Sequence, residues 1–366
     1  MVMIVHFYIN IKKVMTINYI IVDFEWNNGT TEYEKESPLK FEIIEFGAVK
    51  LDKSFQVIDT FESLVKPCVF RSIHPIIQKI TGIHIDELMN QDSFVDVMTK
   101  FMKWCGNNFI FCTFGSQDLW ELQSNMEYHG MIRPDGQKRY GMNGKQDISI
   151  CYNWKYPLLY LDIQKLLQYH IQRQMRRENA TEPETKDVKQ MSLEHAIEYL
   201  NIPIHEPFHR ACVDALYTAK VMGFLEKDLF IKHKSLDYYC IPKKKKEEKT
   251  VKVGKHLEYV TCAFQDKEQV LKKKKLFHIS CPRCKKNVNT KVSWFADGGK
   301  HICVGKCQEH GYVEGMFCIK QNPVNSGYFG IQRMKLISIE RYRNIDERKK
   351  HLVEKKKQKQ MGSDSD

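Results

Sequence analysis

Apolar positions follow two different rhythms along the first 225 residues. The run YIIVDF at 19–24 is β-branched and aromatic apart from one aspartate, the pattern of a buried strand. Residues 43–51 and 57–65 repeat that character, and their short connections predict antiparallel pairing with the first strand. IIQKITGI, DELMN and FVDVMTKFMKWC change to helical spacing before a further strand at 109–114. The polar stretch 130–157, with RPDGQKRYGMNGKQD, reads as a surface insertion, after which LYLDIQKLLQYH resumes the domain. RRENATEPETKD reads as a flexible loop, followed by two helices in SLEHAIEYL and ACVDALYTAKVMGFL. The leading MVMIVHFYIN is apolar but short, and Lys12 and Lys13 follow it. That order fits neither a signal peptide nor a spanning helix, and Met15 is a second candidate start.

Candidate chemistry sits at the ends of these elements. Side chains alternate along a strand, so Asp23 and Glu25 project to one side and Phe24 to the other. Paired carboxylates repel unless protons or cations neutralise them, and hard oxygen donors suit Mg²⁺ or Mn²⁺. Asp118 follows about a hundred residues later in FCTFGSQDLWEL, and Asp214 about as far again in HRACVDALYTAK. Pro203 and Pro207 make the approach to His209 a loop. His209 then stands at the mouth of a helix, with Asp214 one turn further in. Taken singly, Asp118 reads as a cap and His209 as a surface residue. Asp214 is stranger, because an unpaired carboxylate in an apolar helix is costly.

In this order the set resembles the DEDDh exonucleases (DnaQ-like, RNase H-like fold), and within them the KapD-like group. The resemblance runs from about Asn18 to Leu225 and includes EIIEFGAVKLD, FESLVKP, ITGIHIDEL and SLEHAIEYL. It implies a mixed sheet flanked by helices and a two-cation 3′–5′ exonuclease releasing nucleoside 5′-monophosphates. By similarity Asp23 bridges both ions, Glu25 and Asp214 hold the one carrying the attacking water, and Asp118 supports the other. His209 takes the proton from that water, a task suited to an imidazole. Many members carry Thr shortly after the first Glu, where this chain has Trp26, Asn27 and Asn28. Trp26 is a candidate for stacking on a base, with rim packing as the alternative. Asp162, where relatives often show a similar Asp, reads as structural.

Charge separates the chain into halves. Residues 241–366 hold 30 Lys+Arg against 14 Asp+Glu, a net +16, which leaves residues 1–240 at −4 against +12 for the whole chain. A mildly acidic half joined to a strongly basic one suits a nucleic-acid enzyme. Inside the basic half, Cys281 and Cys284 (CPRC) and Cys307 and His310 (CQEH) are two short-spaced donor pairs about twenty residues apart. That is the layout of a zinc ribbon with Cys₃His ligation. NVNTKVSWF and KHICVGK supply two strands joined at Asp297-Gly298-Gly299. His301 and Cys303 are alternative ligands, and a redox CxxC or a chance pairing are the other readings. Lys285, Lys286, Lys291 and Lys300 are candidate nucleic-acid contacts on this unit. Twelve scattered cysteines without a disulfide framework suggest reduced thiols in a cytoplasm.

The combined expectation is an α/β chain: an RNase H-like mixed sheet flanked by helices, plus a small C-terminal zinc-ribbon-like β module. The segments are an extension at 1–17, an exonuclease domain at 18–240, a basic linker at 241–255, a zinc-ribbon-like domain at 256–340 and a basic, helical then disordered tail at 341–366. Expected cofactors are two Mg²⁺ or Mn²⁺ and one structural Zn²⁺. The expected partner is single-stranded nucleic acid with a free 3′ end, RNA before DNA, and no membrane. A DNA proofreading subunit and a catalytically inactive nucleic-acid-binding scaffold are the alternatives.

Overall fold

The computed structural model describes residues 17–132, 154, 156–178, 189–322 and 327–363. The leading apolar run, Met15, most of the 130–157 insertion and the greater part of the RRENATEPETKD loop lie outside the described residues. In chain order the elements are β1 Asn18–Asn28, α1 Glu32–Lys35, β2 Phe41–Leu51, β3 Val57–Leu64, α2 Pro75–Thr81, α3 Ile85–Leu88, α4 Phe94–Cys105, β4 Phe109–Thr113, α5 Gln117–Tyr128, β5 Leu159–Asp162, α6 Ile163–Glu178, α7 Leu193–Tyr199, α8 Ala211–Phe224, α9 Lys227–Lys232, β6 Ser235–Leu236, β7 Thr250–Val253, β8 His256–Val260, α10 Lys267–Leu271, β9 Asn289–Asp297, β10 Lys300–Cys307, β11 Gly311–Gln321, β12 Tyr328–Ile337 and α11 Ile339–Ser363. They fall into two compact units. Of the described residues, those up to Phe114 together with Met191–Phe224 form the first; those in 115–190 and from Leu225 onward form the second.

The first unit is built on a mixed sheet. β2 pairs antiparallel with β1 and with β3, while β4 runs parallel to β1 on its other side. β1 is therefore an interior strand, and Ile20, Ile21 and Val22 are fully buried. α4 shows why its segment chose a helix. Ser93 caps its first turn by accepting from the Asp96 N–H. Phe94, Val97, Met98, Phe101, Met102 and Cys105 form one buried stripe, and Gly106 at φ 81° ends it. Phe46 of β2 gathers Phe24, Phe94 and Phe101 around it at ring-centroid distances of 4.8, 5.8 and 5.6 Å.

α8 lies on the same sheet, and one glycine allows it. A Cβ at Gly47 would fall 1.9 Å from the Ala211 carbonyl carbon and 2.1 Å from the Cys212 nitrogen. Any side chain there would push the start of α8 off β2. Because Gly47 pairs with Asp23 in register, this close approach occurs beside the acidic end of β1.

The second unit contains a six-stranded antiparallel sheet ordered β7-β8-β12-β11-β10-β9. The sequence shows only the β9–β10 hairpin, with Gly298 and Gly299 both in left-handed conformations at its turn. β11 and β12 escape a periodicity reading because buried polar residues interrupt them. Glu314 accepts from Arg341, Gln332 donates to two backbone carbonyls, and Arg333 pairs with Glu258. Tyr259, Val270, Leu276 and Phe317 make a core for this sheet. The unit therefore has more apolar core of its own than two strands and a metal knuckle would provide.

Residues 241–255 hold a 3₁₀ turn at Lys245–Glu247 and then β7. The nearby Glu248 carboxylate explains the order. It is buried, pairs with Lys273 at 2.6 Å and accepts from the Tyr259 hydroxyl and the Cys262 N–H. The lysine-rich C-terminal segment is the helix α11. Ile345 sinks between Val292 and Val304, and Tyr342 stacks on Tyr312 at 4.2 Å. Among the described residues no helix is long and apolar enough to cross a membrane.

Candidate active site and candidate metal centre

Asp23 and Glu25 project from the same face of β1, opposite Gly47 and Glu45 of β2. Phe24 points the other way and is buried edge-on against Phe46. A β-bulge falls between Glu25 and Trp26 and breaks the alternation just past the acids. Trp26 is half-buried and meets the Phe41 ring edge-to-face at 6.3 Å. Asn27 is fully buried: it accepts from the His74 N–H at 2.9 Å and donates to the Ser72 carbonyl at 2.8 Å. Asn27 thus pins a loop.

The start of α8 supplies the imidazole and a further acid. His209 is held at φ 69°, a conformation that costs a non-glycine residue about 1–3 kcal/mol and persists only where its surroundings enforce it. Its N–H donates to Asp214 Oδ2 at 3.0 Å, in the manner of a helix cap. Asp214 Oδ1 is buried with no hydrogen-bond partner among the described residues. Burial raises the Asp214 pKa to about 6, the His209 N–H and the His209 charge oppose the rise, and Glu194 and Glu45 add to it. One donor atom each from Glu25, His209 and Asp214 lie within 4.8 Å of one another.

That donor set fits a hard divalent cation. An acid pair on one strand face, an orphaned carboxylate oxygen and an adjacent imidazole make a concentration of lone pairs that protons satisfy poorly at neutral pH. A bound cation would satisfy Asp214 Oδ1 directly.

Four residues around this site were not singled out from the sequence. Glu45 is fully buried and takes Arg210 by Nε at 3.0 Å and Nη2 at 2.6 Å, while its second oxygen accepts from the Ala211 N–H at 3.2 Å. Gly47 makes the space already described. Glu194 on α7 lies 3.8 Å from His209 Nε2, and its carboxyl is held below its usual value first by the Ser192 side chain. The available signal was Glu45 itself, a charge inside the otherwise apolar run IIEFGAV.

Asp118 belongs to the second unit, in the first turn of α5, and is 6% exposed. One turn on, Glu121 is also buried, and desolvation pushes its carboxyl up to about 7 against a hydrogen bond from Gln117. Asp162 ends β5 and accepts from the Lys165 N–H at 3.0 Å, a capping geometry at the start of α6.

The cysteine pairs of the second unit converge. Cys281 Sγ and His310 Nδ1 are 3.6 Å apart, Cys307 Sγ and His310 Nδ1 3.7 Å, and Cys284 Sγ and Cys307 Sγ 3.7 Å. Zinc–sulfur bonds of about 2.3 Å and zinc–nitrogen bonds of about 2.0–2.1 Å at tetrahedral angles put such donors roughly 3.5–3.8 Å apart. The cluster therefore fits zinc. Burial disfavours the Cys307 thiolate, but N–H groups of Glu309 and His310 and the neighbouring ring bring its pKa down to about 6. The alternative ligands are engaged elsewhere: His301 stacks on Phe317 at 4.4 Å, and burial pushes the Cys303 thiol up to about 12. Lys285, Lys291 and Lys300 are exposed. Lys286 is exposed as well, but pairs with Glu309 at 2.6 Å.

A mixed sheet flanked by helices, with carboxylates and an imidazole gathered at a strand end, defines the class as an RNase H-like nuclease fold. The exonuclease family model RNase_T matches residues 20–222, and the chain belongs to that family. A 3′-5′ exoribonuclease 1 of Rattus norvegicus is 33% identical over 107 residues, covering 27% of this chain and 30% of the relative. A DNA polymerase III PolC-type of Bacillus subtilis (strain 168) is 29% identical over 120 residues, covering 33% of this chain and 8% of the relative. The chain thus spans under a third of the length of these curated relatives. Among solved structures, the nuclease domain of 3′hExo, a DEDDh family member bound to rAMP, aligns at 20% identity and TM-score 0.40, covering 57% of this chain and 92% of the other.

Proposed function

We propose that the chain is a metal-dependent 3′–5′ exonuclease acting on single-stranded nucleic acid, RNA before DNA. The observation that carries this reading is the meeting of Glu25, His209 and Asp214 around an unsatisfied carboxylate oxygen, in a chain of the exonuclease family. Asp23, Glu25, Asp118 and Asp214 would hold two Mg²⁺ or Mn²⁺ ions. Bound there, such ions would supply charge stabilisation at the scissile phosphate and ease deprotonation of an attacking water. His209 would accept a water proton as general base, and Asp214, through the His209 N–H, fixes the backbone that carries the imidazole. The product is a nucleoside 5′-monophosphate.

The preference for RNA is supported by the exoribonuclease relative, and a DNA proofreading role by the PolC-type relative. Cys281, Cys284, Cys307 and His310 hold one structural zinc, since three thiolates and an imidazole leave no open position for substrate. Their unit presents Lys285, Lys291 and Lys300 to the nucleic-acid backbone, with Lys286 contributing less because of Glu309. Trp26 packs at the rim of the site. A cytoplasmic location is proposed from the scattered cysteine pattern of the sequence alone.

The deciding experiment is a degradation gel with 5′-labelled single-stranded RNA and matched DNA in Mg²⁺, Mn²⁺ or EDTA. A metal-dependent ladder shortening from the 3′ end is expected, faster on RNA. A faster DNA ladder would favour the proofreading role. Salt-dependent binding without any ladder would leave only a scaffold.

A further inference from the structure

We propose that Glu45 and Arg210 are positioning residues of the nuclease site: an ion pair on a buried carboxylate that clamps the start of α8 onto β2 and fixes the backbone carrying His209. This rests on the exonuclease reading above and deepens it.

Register and hydrogen-bond geometry carry the proposal. Glu45 is the cross-strand partner of Glu25, so the two side chains rise from the same face of neighbouring strands. Like charges placed directly opposite are unfavourable, and Glu45 is fully buried. Arg210 resolves that conflict by donating from Nε and Nη2 to Glu45. The same carboxylate accepts the Ala211 N–H, one of the unpaired donors at the start of α8. One buried glutamate therefore holds both a side chain and the helix end that follow His209 directly.

His209 sits between two fixed points. On one side its N–H is tied to Asp214, and on the other Arg210 and Ala211 are tied to Glu45. Gly47 completes the clamp by letting Ala211 lie against β2 without a Cβ between them. The left-handed backbone of His209 is what such over-determination would sustain. Arg210 does not read as a phosphate-binding cation. Its guanidinium is committed to Glu45 and lies 3.5 Å from a second carboxylate, Glu62.

The test uses the full chain as wild type, Arg210→Ala, Arg210→Lys, Glu45→Gln and the double variant Glu45→Gln/Arg210→Ala. One arm follows hydrogen exchange of the His209 and Ala211 amides, which needs no activity. The other measures kcat and KM on a 5′-labelled oligonucleotide in Mn²⁺. Arg210→Ala is expected to deprotect both amides and lower kcat roughly 100-fold while KM moves less than about twofold. Added guanidinium should restore part of that loss. The double variant should outperform Arg210→Ala, because it removes the uncompensated buried carboxylate beside Glu25. If Arg210→Ala fails to fold, Arg210→Lys keeps the charge but loses the bidentate grip, and should show a milder fall in kcat. Unchanged amide exchange would overturn the clamp, as would unchanged kcat or a loss confined to KM. Wild-type protein that cleaves nothing in Mg²⁺ or Mn²⁺ would sink the exonuclease reading instead, and the exchange arm alone would then decide the clamp.

Discussion

The two donor clusters of this molecule are assembled in opposite ways. At the strand end, Glu25, His209 and Asp214 come from places nearly two hundred residues apart, and one buried oxygen is left without a partner among the described residues. In the cysteine cluster, donors come from two local sequence pairs that converge, with Cys281–His310, Cys284–Cys307 and Cys307–His310 separations of 3.6–3.7 Å. The first arrangement keeps unused coordination capacity and stores backbone strain at His209; the second is closed. That difference is the one expected if the first site exchanges ligands, as proposed, and the second holds a fold.

The comparison breaks most sharply at Asp23. Asp23→Asn should reduce cleavage at least about 1,000-fold in a 5′-label ladder assay while the circular dichroism spectrum stays native, because it removes a cation ligand and adds no bulk. Substantial residual turnover would remove Asp23 from the metal set. His209→Ala should cost roughly 100- to 10,000-fold in kcat, the range of a lost general base, with Mn²⁺ affinity far less affected. A loss seen only in Mn²⁺ affinity would make His209 a ligand and not a base.

The cysteine cluster predicts the reverse. Metal analysis of Cys284→Ser protein should show loss of about one zinc per chain and lowered thermal stability, while cleavage of short oligonucleotides by the folded fraction is largely kept. The six-stranded sheet and its core should keep the second unit partly folded without zinc. Zinc content near zero in wild-type protein would refute the centre. Equal losses of zinc and catalysis would refute the division of labour.

A smaller effect sharpens the contrast within the second unit. Glu121 has its folded-state pKa raised to about 7, chiefly by burial. Its folded form therefore holds a proton that the unfolded chain releases near pH 4.5. Its contribution to stability is present below the unfolded value and lost as pH rises through about 7. Glu121→Gln should flatten the fall in stability between pH 5 and 8 and stabilise the protein at pH 8 by at most about 3 kcal/mol. Chemical denaturation at several pH values measures this, and identical pH slopes for the two proteins would count against the burial of that carboxylate.

How much of this was legible in the sequence follows from where each partner lies along the chain. β1 to β4 and α8 announce themselves through local apolar rhythm, and the acids stand out as charges inside that rhythm. CPRC and CQEH are local spacings, so their convergence could be expected once a hairpin was recognised between them. What stayed hidden depends on pairing at long range. Arg210 looks like any residue beside a histidine until Glu45, 165 residues earlier, is seen to receive it. Gly47 looks like an ordinary strand glycine until α8 is laid against it. β11 and β12 stayed hidden because Glu314 and Gln332 are buried and, with Arg333, belong to polar networks that no hydrophobic pattern records.

The smallest effect concerns the basic surface beside the cysteine cluster. Each phosphate contact on a single strand contributes about 0.7 to the slope of log affinity against log salt. Replacing Lys285, Lys291 and Lys300 together by Ala should therefore lower that slope by up to about 2 in anisotropy titrations with labelled single-stranded RNA. Lys286→Ala should change it least, because its ammonium already faces Glu309 and a phosphate would have to displace that partner. Deleting α11 after its anchoring turns provides the control. If the slope falls only on that deletion, and not with the three lysines, nucleic acid follows the helix and the cysteine-bearing hairpin is a structural support alone.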